Sequence, residues 1–356
     1  MVKLSFLGDI FPANLPYNRG LGVASLPINK EEYKFVELLK EAIGSRDVVV
    51  GNLESPILSD FVFSKDKQFA GNSDFIRMLK KSGIDLVTIA NNHIREHGVD
   101  GVLNTKKVLD EEGILFVGSK DISAKTKFVS VLRDGLSLGF LAYNDIDNHR
   151  YDDGLISEYN REKILSDISL VKDDVDYLFL LIHWGDEFIH RPSYQQQLDA
   201  RAFVDAGAKF VICSHPHVIQ PIEEYNNGLI CYSLGNFIFD MTIPSISRYG
   251  MILDLDLDSM SFSYESRFVE LQKNFFPKTV VDDCFLRTIL SEQTKLMQSV
   301  DKNQYIKDYN KEKKKCRNIK RAKEKIILLQ NWFKYSPEVR RDFINMYLRK
   351  IRICQK

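Results

Sequence analysis

The sequence predicts a layered α/β fold carrying a basic helical extension. Three observations predict it. Apolar strand-like runs alternate with amphipathic helical stretches from residue 2 to about residue 240. The stretch that follows, MILDLDLDSMSFSYESRFVEL, alternates apolar and polar residues as a half-exposed antiparallel pair does. From about residue 281 the chain reads as helical and increasingly basic. We therefore expect one large domain over residues 1–275 and a helical region over 276–356.

The runs VKLSFLGD, DVVVGNLES, DLVTIANNH, ILFVGS, LSLGFLAYND, DYLFLLIHWGD and AKFVICSHPH are rich in Val, Ile, Leu and Phe. Strands covered on both faces have that composition, so much parallel pairing is expected. Helical spacing is read over 30–43, 73–82, 99–112 and 194–206, with Gly83, Gly113 and Gly207 as stops. Asn226-Asn227-Gly228 has the chemistry of a hairpin turn before GLICYSLGNFIFD. Pro337 opens the last helix, in which Val339, Phe343, Tyr347 and Ile351 recur every four residues.

Hydrophobic residues make up 44% and charged residues 28% of 356, which excludes a mainly disordered chain. The zero net charge hides a polarised distribution: residues 301–356 hold 18 Lys and Arg against 6 Asp and Glu. Such a tail suits an anionic polymer, an anionic membrane surface or the chain's own acidic body. No sequence-specific nucleic acid is expected. The five cysteines are scattered without CxxC spacing, which supports neither a disulfide framework nor a thiolate zinc site. No run approaches a membrane span, and MVKLSFLGDIF is too short for a signal-peptide core. A cytoplasmic protein, peripheral at the inner membrane surface if the tail binds there, is the expectation.

Polar residues close the apolar runs. Asp9 ends the first, Asn52 and Glu54 the second, Asn91, Asn92 and His93 the third. His183 ends a later run, and His215 and His217 the next. Ligands of open α/β sheets bind beyond the carboxyl ends of the strands. Carboxylate, amide and imidazole ligands without thiolates suit manganese, iron or zinc. In His215-Pro216-His217 the proline is expected to hold the segment extended, which sets both imidazoles on one face.

These motifs, GD at 8–9, GNLE at 51–54, ANNH at 90–93, HWG at 183–185, SHPHVIQP at 214–221 and YSLGNFIFD at 232–240, resemble the CapA-type capsule (poly-γ-glutamate) synthesis proteins of the calcineurin-like metallophosphoesterase superfamily. The resemblance covers roughly residues 1–270. It implies a layered sandwich of the calcineurin-like type with two divalent ions. Asp9, Glu54 and His217 would hold the first, and Glu54, Asn92, His183 and His215 the second. His93 would be the general acid. Two ions side by side activate a water and stabilise attacking and leaving oxygens. The implied function is hydrolysis of a phosphate ester, on a small molecule or polymer precursor, in capsule or surface-polymer biosynthesis. The alternative is a non-catalytic metal-binding accessory protein of capsule assembly or export.

One departure favours the alternative. The superfamily usually carries a histidine two residues after the first aspartate, and that position is Phe11. Lesser candidates are Asn52 within the site, Glu96 as a partner of His93, and His97, His190 and Arg191 as contacts of an acidic substrate. His149 is read as a loop histidine, Asn236 as shaping the rim, and Trp184 as packing beside the site.

Overall fold

The computed structural model describes residues 1–59, 62–119, 128–146, 154–241, 243–299 and 301–354. His149 lies outside them. In chain order come β1 (Val2–Ile10), α1 (Ile28–Ile43), β2 (Val48–Leu53), α2 (Ser73–Lys81), β3 (Leu86–Thr88), α3 (Gly98–Glu112) and β4 (Leu115–Val117). Then follow β5 (Val129–Arg133), β6 (Leu136–Asn144), α4 (Arg161–Val171), β7 (Tyr177–His183), α5 (Tyr194–Ala206) and β8 (Phe210–Ser214). The chain continues through β9 (Ile222–Tyr225), β10 (Gly228–Cys231), β11 (Asn236–Ile238), β12 (Tyr249–Leu257), β13 (Phe262–Leu271) and β14 (Pro277–Thr279). Three helices end it: α6 (Cys284–Ser299), α7 (Lys302–Asn331) and α8 (Pro337–Cys354).

The strands form two sheets. One runs β14-β13-β12-β1-β2-β3-β4, with β11 also paired to β1, and the other runs β5-β6-β7-β8-β10-β9. The expected α/β layering is met, and the strand ends that carry polar residues are shared between the two sheets. The cause is apolar surface on both inner faces. Phe6 of β1 meets Phe179 of β7 at 5.2 Å, and Phe179 stacks between Phe140 and Phe210 at 5.0 and 4.7 Å. Aromatic contacts of this kind bury large areas and fix the sheets against each other.

Each expected helix forms within two residues of its reading. Helix α2 is capped by Asn72, whose side chain accepts from the Phe75 amide. Helix α5 carries a capping box between Ser193 and Gln196. Asn226 and Asn227 take φ of 45° and 61°, which gives the hairpin between β9 and β10 the handedness its strands need. Helix α4 was not anticipated. Its signal was present in Asn160, which caps it, and in buried Ile164, Ile168 and Val171 at helical spacing.

The boundary expected at residue 275 falls ahead of β14, which still pairs with β13. Phe276 and Leu286 belong to the main core. The tail is also tied down. Helix α7 buries Tyr305, Tyr309 and Ile327, and α8 buries Val339 and Phe343. Of the readings of the basic tail, contact with the acidic body is present: Lys313 Nζ lies 2.7 Å from Asp186, and Lys320 pairs with Glu187. Among the described residues, no helix is long and apolar enough to cross a membrane.

Candidate metal centre

Close backbone approach positions the centre. Gly8 packs so tightly on β11 that a Cβ there would lie 2.2 Å from the Gly235 carbonyl oxygen. The Asp9 amide donates to that carbonyl at 2.9 Å, which sets Asp9 beside Asn236 in parallel register. The glycines of GD and LGN thus serve one purpose: they let two strand ends meet. On its other side Asp9 pairs in register with Asn52 of β2, and the Glu54 amide donates to the Ile10 carbonyl at 2.8 Å. The second sheet supplies His183 from the end of β7, in register with Ser214 of β8.

The structure brings Asp9, Glu54, Asn92, His93, His183, His215 and His217 together where the two sheets' carboxyl ends meet. Asp9 Oδ2 is 3.3 Å from His217 Nδ1. Glu54 Oε1 is 3.6 Å from His183 Nε2, 3.8 Å from His217 Nε2 and 4.0 Å from His93 Nε2. Asn92 Oδ1 is 2.8 Å from His183 Nε2, which in turn is 3.2 Å from His215 Nδ1. Two sets place their ligand atoms within 4.8 Å of one another: Glu54 with His215 and His217, and Asp9 with Glu54 and His183. Glu54 is common to both, as a bridging ligand has to be. These sets divide the other partners differently from the family resemblance, although Asp9 and Glu54 also lie beside His217 as that resemblance implies.

The donor set fits divalent cations. Both Glu54 oxygens are fully buried, and neither accepts a hydrogen bond from a donor group among the described residues. A buried carboxylate without a partner is costly, and a cation removes that cost. Burial, and then the neighbouring Asp9, pushes the Glu54 carboxyl well above its ordinary range. Burial also acts upward on Asp9, but the hydrogen bond and charge of His217 outweigh it and hold that carboxyl below its usual value. Burial holds His183 and His215 well below the ordinary imidazole range, so both stand neutral with a lone pair to offer.

The 215–217 segment corrects an expectation. Its imidazoles do converge, with ring centroids 5.6 Å apart, but not through an extended chain. His215 has φ 101° and His217 φ 56°, both in the left-handed half that bulky residues avoid. Strain of this kind costs about 1–3 kcal/mol per residue and gathers where surroundings dictate a side chain's aim. Here the surroundings are Asn236, whose Oδ1 is 2.9 Å from His217 Nδ1, and the Asp9 carboxylate.

Around this centre sit residues that orient it. Asn52 donates to Asp9 Oδ1 at 2.7 Å, and Asn91 donates to Asn52 Oδ1 at 3.1 Å. Asn236 also donates to the Ser247 carbonyl at 2.8 Å, which locks its amide. Ser214 Oγ, 3.0 Å from His183 Nδ1, had no sequence signal of its own. His93 Nδ1 lies 2.9 Å from Glu96 Oε1, and burial holds that imidazole below its ordinary value against the pull of Glu96. Phe11 is stacked on Phe239 at 4.4 Å and 10° in an apolar cluster, so an aromatic pair occupies the place of the usual histidine. Trp184 is buried. The structure places three lesser candidates elsewhere. His97 meets the Gln68 carbonyl at 3.0 Å, His190 meets that of Ile219 at 3.3 Å, and Arg191 is tied to Glu312 at 2.7 Å.

Residues 3–241 match the family model described as bacterial capsule synthesis protein PGA_cap. The chain belongs to this family. The PGA_cap match spans every residue of the centre. Among relatives, the PGA biosynthesis protein CapA of Bacillus subtilis is 28% identical over 67% of this chain and 64% of its own length. The capsule biosynthesis protein CapA of Bacillus anthracis is 31% identical over 54% of this chain and 51% of its own. The chain thus spans between half and two thirds of these relatives. Among solved structures, one described as a novel phosphatase from Mycoplasma pneumoniae has TM-score 0.47 and 14% identity, covering 80% of this chain and 96% of that one. A structure described as a putative 5′-nucleotidase from Staphylococcus aureus has TM-score 0.44 and 12% identity, covering 82% and 58%.

Proposed function

We propose that this PGA_cap protein is a metal-dependent phosphoesterase acting in capsule or surface-polymer biosynthesis. The observation that carries the reading is Glu54: a fully buried carboxylate that accepts no hydrogen bond from a donor group among the described residues, ringed by three imidazoles within 4.0 Å. Asp9, Glu54, His183, His215 and His217, with the amide of Asn92, would hold two divalent ions, manganese, iron or zinc. Ions held there would polarise the phosphoryl group and make water a nucleophile at neutral pH.

The chain's own residues supply the rest. His93 is the titratable side chain of the group that stays partly open, at 13% exposure, and it faces the cleft beside Asn92. It is placed to give a proton to the leaving oxygen. Glu96 holds Nδ1 so that Nε2 points inward. The stacked ring of Phe69, 4.5 Å away, limits how far the imidazole can turn. Phosphate esters of small molecules or polymer precursors are the substrates we propose, in the cytoplasm, as the scattered cysteines favour.

The second reading is a non-catalytic metal-binding accessory protein, and Phe11 favours it by removing one ligand. Release of p-nitrophenol from phosphate mono- and diesters with added manganese decides between them, together with the metal content of purified protein. Turnover in wild type that falls at least about tenfold in His93→Ala supports the hydrolase. Bound metal with equal background release in both supports the accessory protein.

A further inference from the structure

The long basic helix α7 does more than pack on the body. It roofs a cavity of about 810 Å³ whose floor includes Asn92 and His215 and whose roof includes Lys313, Arg317, Lys320 and Arg321. The helix is held there by two neighbouring carboxylates, Asp186 and Glu187. Tyr309 donates to Asp186 Oδ2 at 3.0 Å, Lys313 lies 2.7 Å from Asp186 Oδ1, and Lys320 pairs with Glu187. Asp186 and Glu187 directly follow His183-Trp184-Gly185, so the segment that presents a candidate ligand also anchors the roof.

These pairs neutralise Lys313 and Lys320. Asp145 and Glu324, the other acids lining the cavity, also have partners of their own. Arg317 and Arg321 remain, exposed and with no carboxylate within 4.0 Å among the described residues. Four residues apart on one helix, they share a face at a separation of about 6 Å. Guanidinium groups bind phosphate or carboxylate through paired N–H donors.

We infer that Arg317 and Arg321 hold a second anionic group of the substrate, beyond the phosphate that is cleaved. The inference rests on the phosphoesterase reading and narrows it. The substrate is then a phosphate ester whose other end bears a phosphate or carboxylate, with the Lys313–Asp186 and Lys320–Glu187 pairs keeping the roof at a fixed height.

The test compares hexyl phosphate with 1,6-hexanediol bisphosphate and the ω-carboxyalkyl phosphate of equal length, alongside the butane and octane homologues. Binding is read by calorimetry on the full chain with manganese, and hydrolysis in parallel as KM and kcat. At least one doubly anionic ester should bind about tenfold more tightly than its monophosphate. The Arg317→Ala/Arg321→Ala double variant should lose that preference while binding hexyl phosphate within about threefold of wild type. The Arg317→Lys/Arg321→Lys variant should recover part of it. The relative affinity of the phosphate- and carboxylate-ended esters identifies the second group. The inference is overturned if no doubly anionic ester is preferred, or if the double alanine variant keeps the preference. A calorimetric preference without hydrolysis of any ester would overturn the phosphoesterase reading and leave the arginine assignment standing.

Discussion

Glu96 Oε1 lies 2.9 Å from His93 Nδ1, three residues back along the chain. The pair opposes the effect of burial, which alone drives the imidazole toward its neutral form. Replacing Glu96 by Gln keeps the shape and removes the charge. If His93 is the proton donor, its protonated fraction near neutrality falls and the alkaline limb of the pH–rate profile moves to lower pH. We expect a loss of about threefold to tenfold at pH 7 that narrows at pH 5.5, against a larger and pH-insensitive loss in His93→Ala. A parallel profile for Glu96→Gln and wild type would remove Glu96 from the mechanism.

Glu54 makes the metal-free protein uneasy. Its carboxyl is raised by burial and then by Asp9, so the folded state binds a proton there that the unfolded chain has released. That contribution to stability is lost as pH rises through the raised value. At pH 8 with chelator, Glu54→Gln should therefore melt higher than wild type, by roughly 1–2 °C per kcal/mol relieved. With manganese in excess the order should reverse, since the carboxylate then has its counter-ion. The same order under both conditions would contradict a cation at Glu54.

Phe11 offers a gain-of-function experiment. Phe11→His breaks the stack on Phe239, which costs about 0.5–1.5 kcal/mol for the ring pair alone. It restores an imidazole two residues after Asp9. Outer-shell partners already change metal affinity by roughly 10–100-fold, and a direct ligand should do no less. Titration with manganese should show the weaker ion binding at least about tenfold more tightly. An unchanged isotherm would mean that Phe11 does not face the first cation.

Asp240 carries a pH dependence separate from the metal centre. Burial raises its carboxyl from 3.8 to about 7, although Oδ2 accepts from the Leu15 amide at 3.0 Å. The raised value means stability present at low pH and lost as pH climbs from about 4 to about 7, at most about 1.4 kcal/mol per unit. Urea denaturation at pH 5, 6, 7 and 8 should show wild type losing stability relative to Asp240→Asn up to pH 7 and staying level beyond. A constant difference across the series would place the Asp240 carboxyl at its ordinary value.

How much of this was legible in the sequence differs by element. Asp9, Glu54, Asn92 and His183 could be located because each ends an apolar run, and a run's end is visible without the fold. That they meet between two sheets was not visible, because the inner aromatic faces of Phe6, Phe179 and Phe210 look like any buried strand. The aim of His215 and His217 escaped pattern reading because positive φ at a histidine is imposed by Asp9 and Asn236 across space. In the tail the sequence shows helicity, a last helix from Pro337 and a basic charge, but the buried face of α7 was not read. Yet Tyr305, Tyr309, Cys316, Lys320 and Ile327 recur at helical intervals, a stripe that would have marked the face turned to the body.

The candidate ligands all precede residue 218, whereas the roof begins at residue 302. Ceiling and floor are therefore written in separate stretches of the gene. Exchange of the later stretch can redraw the cavity's upper wall without replacing a single coordinating residue, so variation in what this pocket admits can accumulate in α7 while the ligand set beneath it is kept.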